Sequence, residues 1–158
     1  MFYLHGYKGE VWKEFYTGLL TNLRMLAELP SVRCLNFGAM FIGGGSPNCF
    51  SADELRELMT VIRSLFACDD NFEATIEWYP SDLDKEKLKC AHDVGFDRIS
   101  FGVQTFSERL ATSIRQRHTP TDSDRIIKTA QDIGFPNVNI DIISSLPSQK
   151  WEEMENDI

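Results

Sequence analysis

The chain has 158 residues, 42% hydrophobic and 11% aromatic, enough to bury one sizeable core and unlike a disordered or low-complexity sequence. A formal net charge of -8 and an isoelectric point near 4.8, with no Lys or Arg cluster along one face, oppose a nucleic-acid partner. Charges interrupt every apolar run short of membrane-spanning length, and Met1-Phe2-Tyr3-Leu4-His5 lacks the layout of a signal peptide, so a cytoplasmic protein without a membrane span is expected.

From Glu10 to Glu28, Val11, Phe15, Leu19, Leu23 and Leu26 recur at helical spacing, and Pro30 ends the run. A buried strand is expected over Ala39 to Ile42. It runs into Gly43-Gly44-Gly45-Ser46-Pro47, which reads either as a crowded strand-to-helix turn or as backbone bared for a ligand. Ser51 and Glu54 form a capping box for a helix whose inner face carries Leu55, Leu58, Ile62 and Leu65. Next come a strand over Phe72 to Trp78, a helix over Asp84 to Val94, a strand over Arg98 to Gln104, and helices over Glu108 to Ile114 and Thr121 to Ile133. A strand over Val138 to Ile143 and a helix starting at Trp151 complete the pattern.

Ala91-His92-Asp93-Val94-Gly95-Phe96 and Ala130-Gln131-Asp132-Ile133-Gly134-Phe135 nearly repeat one another: a helix end, a glycine for the left-handed position, an aromatic plug, and then a strand. Such repeated units make an α/β fold with a parallel sheet, and a (β/α) barrel is preferred to a doubly wound sheet. Function then gathers at the C-terminal strand ends, which carry Gly43, Gly44, Gly45, Glu77, Gln104 and Asp141. Two carboxylates and an amide beside bare backbone suit a polar, cationic ligand, although each side chain alone can equally serve its own loop. Cys34, Cys49, Cys68 and Cys90 form no CxxC or CxxxC pair and read mostly as small buried hydrophobes in a reducing compartment.

Five motifs in order, covering the chain from about Gly38 to its end, carry a resemblance. They are Phe41-Ile42-Gly43-Gly44-Gly45-Ser46-Pro47, Ile76-Glu77-Trp78-Tyr79-Pro80, Arg98 to Phe106, Arg117-His118, and Asn139 to Gln149. Together they resemble the oxygen-independent coproporphyrinogen III oxidase-like radical S-adenosylmethionine (SAM) proteins. The resemblance implies SAM as cofactor, with Gly43, Gly44, Gly45 and Ser46 along its methionine amino group and Glu77, Gln104 and Asp141 on the rest. Arg117 is implied from an Arg-Arg-His element, in which Gln116 here replaces the first arginine. Ser144-Ser145 stands where the family has an aromatic or similar residue and then glycine. No catalytic residue is assigned.

The family also implies a [4Fe-4S] cluster on a CxxxCxxC loop, whose electron cleaves SAM to a 5′-deoxyadenosyl radical. This chain has no such loop. Its opening, Phe2 to Tyr7, resembles the stretch just past the last cluster cysteine in that family. Residues 1–158 are therefore expected to be a partial radical SAM barrel, incomplete at both ends, with the cluster ligands upstream and no metal ligand in the chain itself. The implied function is oxidative decarboxylation of coproporphyrinogen III. Haem-chaperone, haem-ring-opening or haem-methylating relatives and an inactive remnant are the alternatives. The implied partners are a porphyrinogen or haem and an electron donor such as flavodoxin or ferredoxin.

Overall fold

Pro30 starts an element as well as ending one. In a computed structural model describing residues 9–81 and 83–158, α1 spans Glu10–Glu28 and a four-residue α2 spans Pro30–Arg33. Proline fits the first helical position of α2, because the N–H it lacks has no acceptor there. The chain continues as β1 (Asn36–Ile42), a 3₁₀ turn (Pro47–Cys49), α3 (Ala52–Leu65), β2 (Ala67–Trp78), α4 (Lys85–Asp93) and β3 (Arg98–Gln104). It ends with α5 (Glu108–Ser113), α6 (Pro120–Ile133), β4 (Asn137–Ile142) and α7 (Trp151–Asp157). The opening motif, Phe2 to Tyr7, lies outside the described residues.

The strands form one parallel sheet in the order β1-β2-β3-β4, each joined to the next through helix. Alternation along the strands gives the sheet two unlike faces. Ala74, Ile76 and Trp78 of β2 and Ile99, Phe101 and Val103 of β3 enter a single core with Tyr16 and Leu20 of α1, Leu55 and Leu58 of α3, Leu88 of α4, and Ile126 of α6. The intervening residues, Glu73, Thr75, Glu77, Arg98, Ser100, Gly102, Gln104, Asn139 and Asp141, stand on the other face. Helices packed into one core against one face, with a polar opposite face, are the layout of a (β/α) barrel wall, as expected, and differ from a doubly wound sheet, which is covered on both sides.

Both repeats fold alike. Gly95 and Gly134 have φ of 100° and 104°, and the N–H groups of Phe96 and Phe135 reach back to the carbonyls of Ala91 and Ala130 at 3.2 Å each. These are the paired closures of a helix ending in a left-handed residue. The buried rings of Phe96 and Phe135 then plug the core before β3 and β4.

Four expectations need correction. Strand β1 starts at Asn36, three residues earlier than expected, and is not buried: at the edge of the four-stranded sheet none of its residues is fully covered, and Phe41 is 63% exposed. The face of α1 that packs is Tyr16, Leu20 and Ala27, with Trp12, Leu19 and Leu23 beside them, while Val11, Phe15 and Leu26 are exposed. Tyr16 is amphipathic and explains the rotation, for its hydroxyl donates to Glu54 O at 2.9 Å and Glu57 Oε2 at 3.1 Å while its ring stays buried. Strand β2 begins five residues earlier than expected, because the polar run Cys68-Asp69-Asp70-Asn71 continues the strand past a bulge opposite β1. Cys34 and Cys49 are exposed, Cys68 is half-buried and Cys90 is buried, so burial holds for Cys90 alone.

The last helix is tied to the segment after β3. Asp157, 4% exposed, accepts from Thr105 Oγ1 at 2.8 Å and from the Phe106 N–H at 2.7 Å. Glu153 accepts from Ser107 Oγ and Arg109 Nε, both at 3.0 Å. The Arg109 guanidinium, then the Lys150 N–H and Ser107, hold the Glu153 carboxyl at about 2, against an ordinary 4.5. A depressed carboxylate stabilises above its unfolded value and loses that contribution as pH falls through the folded one. Protection of the α7 amides, measured against their intrinsic exchange rates, is therefore expected to fall between about pH 4.5 and pH 2. In Glu153→Gln that component of the pH dependence should vanish, and an unchanged profile would show that Glu153 does not tether α7.

Candidate functional site

At the end of β1 the chain turns without side chains. Gly44 and Gly45 have φ of 83° and 147°, a region L-residues seldom enter. Gly43 has ordinary angles but no room: a Cβ there would lie 2.6 Å from Glu77 Cδ, 2.6 Å from Phe41 Cε1 and 2.7 Å from Glu77 Oε2. Register explains the contact. Ile42 pairs with Ile76, so the next residue on each strand brings the glycine level with the Glu77 carboxylate. Gly44 N–H donates to Glu77 Oε2 at 3.2 Å, and nothing lies within 4 Å of the place its own Cβ would take. The outcome is a bare backbone edge open on one side, with an acidic group beside it. Ser46 caps the next 3₁₀ turn, and its hydroxyl is engaged by Asn48 Oδ1.

Gln104 ends β3 under strain. Its φ is 70°, and the Thr105 N–H donates to Val103 O at 2.9 Å across it, closing a three-residue γ-turn of the rare positive-φ kind. Strained backbone of this type persists where the surroundings over-determine it, and it clusters at functional sites. The Ile143 N–H fixes the turn from β4 by donating to Gln104 O at 2.9 Å. The side-chain amide folds back over Gly102, where a Cβ would meet Gln104 Nε2 at 2.9 Å. That atom is the movable end of a side chain, so Gly102→Ala is expected to displace the Gln104 amide while changing stability by only about 1 kcal/mol. Thermal unfolding, together with the side-chain amide resonance of Gln104, checks this. A stationary resonance would mean that Gly102 does not seat Gln104.

Asp141 lies on β4 on the same polar face, with its carboxylate Oδ1 accepting from Ser100 Oγ at 3.1 Å and Asn139 Nδ2 at 3.2 Å. Arg117 is exposed, and its backbone N–H donates to Tyr79 Oη at 3.3 Å, which brings the loop before α6 to the loop after β2. Beneath it His118 is 2% exposed, edge-on to the Tyr79 ring at 4.9 Å, with Nε2 3.2 Å from Val103 O. Burial, partly offset by that carbonyl, pushes its imidazole below the usual value, so it is neutral at pH 7. Ser145 has φ 64°, the conformation that favours glycine, which accounts for the glycine expected there.

Gly43, Gly44, Gly45, Ser46, Glu77, Gln104 and Asp141 thus gather at the C-terminal strand ends, with the Arg117 loop joined to them through Tyr79. Gly102, Ser100 and Asn139 lie inside the five motifs, yet sequence reasoning gave them no role. The signal that could have found them is the period-two pattern, which puts all three on the polar face with Gln104 and Asp141.

The profile of the radical SAM superfamily matches residues 12–158. This chain belongs to the radical SAM superfamily. Its curated relatives include the heme chaperone HemW of Bacillus subtilis, 39% identical over 120 residues that make up 75% of this chain and 32% of that protein. HemW of Escherichia coli is 29% identical over 98% of this chain and 40% of its own length. The oxygen-independent coproporphyrinogen III oxidase of Pseudomonas aeruginosa is 31% identical over 70% of this chain and 24% of its own. The chain thus spans between about a quarter and two fifths of the length of these relatives. Among solved structures, coproporphyrinogen III oxidase (HemN) from Escherichia coli superposes with a TM-score of 0.77 at 24% identity, covering 92% of this chain and 34% of that one. That likeness shows the shared fold.

Radical SAM proteins use SAM and a [4Fe-4S] cluster. The residues present fit the first group: a backbone edge that any side chain at Gly43 would fill, and carboxylate and amide acceptors suited to an ammonium and to hydroxyls. They do not fit the second. The four cysteines are free and lie on separate elements, and among the described residues no group of three or more His, Cys, Asp or Glu side chains is placed to hold a metal ion. Among those residues, too, no helix is long and apolar enough to cross a membrane.

Proposed function

We propose that the C-terminal ends of β1 to β4 bind SAM in a radical SAM protein that acts on a tetrapyrrole. The observation that carries this is the glycine edge at Gly43, closed to any side chain and set against Glu77. In this reading Gly43, Gly44, Gly45 and Ser46 lie along the methionine amino group, with Glu77 accepting from it or from the neighbouring hydroxyls. Gln104, Asp141 and Arg117 orient the remainder. When bound, SAM supplies the hydrogen-abstracting chemistry of the family. The protein's own residues fix where SAM sits and orient its polar groups between the glycine edge and the sheet.

For the tetrapyrrole step we propose oxidative decarboxylation of coproporphyrinogen III, with an electron donor of the flavodoxin or ferredoxin kind. A second reading, haem binding of the chaperone type, is favoured by one observation: identity to a heme chaperone reaches 39%, against 32% to an oxidase. Titration of SAM, and separately of haem, into the intact protein tests the proposal, alongside incubation with coproporphyrinogen III under reducing conditions. SAM binding with vinyl-bearing product supports the oxidase, and SAM binding with a stable haem absorption band and no turnover supports the chaperone. Absence of SAM binding would overturn the site, and SAM binding without either tetrapyrrole response would overturn the substrate class.

A further inference from the structure

The polar face of the sheet carries one continuous hydrogen-bonded chain besides the glycine edge. Ser100 of β3 and Asn139 of β4 are register partners, so their side chains stand side by side on that face. Asn139 Nδ2 donates to Ser100 Oγ at 2.8 Å and to Asp141 Oδ1 at 3.2 Å, and Ser100 Oγ donates its own proton to Asp141 Oδ1 at 3.1 Å. On the far side of the Asn139 amide, Arg98 Nη2 donates to Asn139 Oδ1 at 3.4 Å, while Arg98 Nη1 lies 3.6 Å from Glu73 Oε1.

Donor and acceptor roles along this chain leave no choice of direction. A guanidinium only donates, so the amide oxygen of Asn139 faces Arg98 and its NH₂ faces the carboxylate. With both hydrogens of that NH₂ engaged, the serine hydroxyl that receives one of them has its single proton left for Asp141. Each group therefore has one orientation, and both protein hydrogen bonds to Asp141 fall on Oδ1.

From this geometry we infer that Ser100 and Asn139, the latter oriented by Arg98, are positioning residues that lock Asp141 so that Oδ2 is presented to a donor of the bound ligand. The inference rests on the reading that Asp141 meets SAM. A carboxylate on an exposed strand end would otherwise sample several rotamers, and part of its hydrogen-bond strength would be spent on ordering it. Two donors on one oxygen remove that freedom before the ligand arrives. Ser100 is 4% exposed and lies under the strand end, so it acts through Asp141 and not by touching the ligand itself.

The test is calorimetric titration of S-adenosylhomocysteine, which occupies the SAM site without turnover, into the intact protein and into Asn139→Leu. Each is measured alone and combined with Asp141→Ala or with Glu77→Ala. Asn139→Leu is expected to weaken binding about tenfold alone and by the same factor with Glu77→Ala, but less than twofold once Asp141 is gone. Ser100→Ala, a smaller change in volume, is expected to show the same pattern at about threefold, which covers the case in which leucine at 139 disturbs folding. An equal loss with and without Asp141, or no loss in either variant, overturns the inference. If Asp141→Ala itself leaves binding unchanged, the SAM reading fails at Asp141. The lock is then judged by exchange of the Asn139 side-chain amide protons in the free protein. Slow exchange in the wild type that quickens in Asp141→Ala supports it, and equally fast exchange in both overturns it.

Discussion

Gly43→Val is expected to weaken SAM binding about a hundredfold or more, the scale reached when a reacting or binding group is pushed about 1 Å from its place. The new Cβ alone would overlap the Glu77 carboxyl carbon and the Phe41 ring, both at 2.6 Å, before the two methyl groups are counted. Glu77 can swing aside, being half-buried, but doing so breaks its bond to Gly44 N–H and empties the acidic side of the edge. Gly44→Val acts differently. Its Cβ would meet nothing, so the cost is that of holding a β-branched residue at φ 83°, about 1–3 kcal/mol of stability, plus obstruction of whatever lies on the open side. The two variants separate by thermal unfolding and calorimetry: Gly43→Val loses affinity more than stability, and Gly44→Val loses both. If Gly43→Val binds SAM like the wild type, the glycine edge is a crowded turn and nothing more.

The contrast between those glycines shows where the sequence speaks and where it stops. Three consecutive glycines after an apolar run signal a special backbone, and the strand-end positions of Glu77, Gln104 and Asp141 come from counting strands. Which glycine is closed by contact and which by angle depends on register, because Gly43 is crowded by Glu77, 34 positions away on the next strand, as well as by the nearby Phe41 ring. Register between parallel strands is set by the crossovers and leaves no local trace. The same holds for the Ser100–Asn139 pair and for Gly102 beneath Gln104. Local chemistry made other features legible: the Ser51–Glu54 capping box, the left-handed glycines of the two repeats, and most element bounds to within a residue. The early start of β2 was hidden because Asp and Asn are poor strand formers, and only pairing with β1 keeps them extended. On α1 the rotated face was hidden because tyrosine counts as half polar in an apolar pattern yet supplies the most buried ring of the helix.

Glu77→Ala and Asp141→Ala are each expected to cost about 1.5–3 kcal/mol of SAM binding, roughly ten- to a hundredfold, the worth of one charge-assisted hydrogen bond. Their consequences for the free protein differ. Removing Glu77 frees Gly44 N–H, which belongs to an exposed residue and can bond to water, so stability should barely change. Removing Asp141 leaves Ser100 and Asn139 still bonded to one another at 2.8 Å, and Arg98 still held by Glu73 and Asn139. The fold therefore tolerates both losses, and affinity reads the site without a stability correction. Because the two carboxylates stand on β2 and β4 with β3 between them, their effects should add, giving the double variant about the product of the single losses. Additive losses with unchanged unfolding temperatures place both carboxylates on the ligand independently. A double variant no weaker than either single one would mean that they hold one group between them, and two variants that bind like the wild type would assign these strand ends to the fold or to the tetrapyrrole.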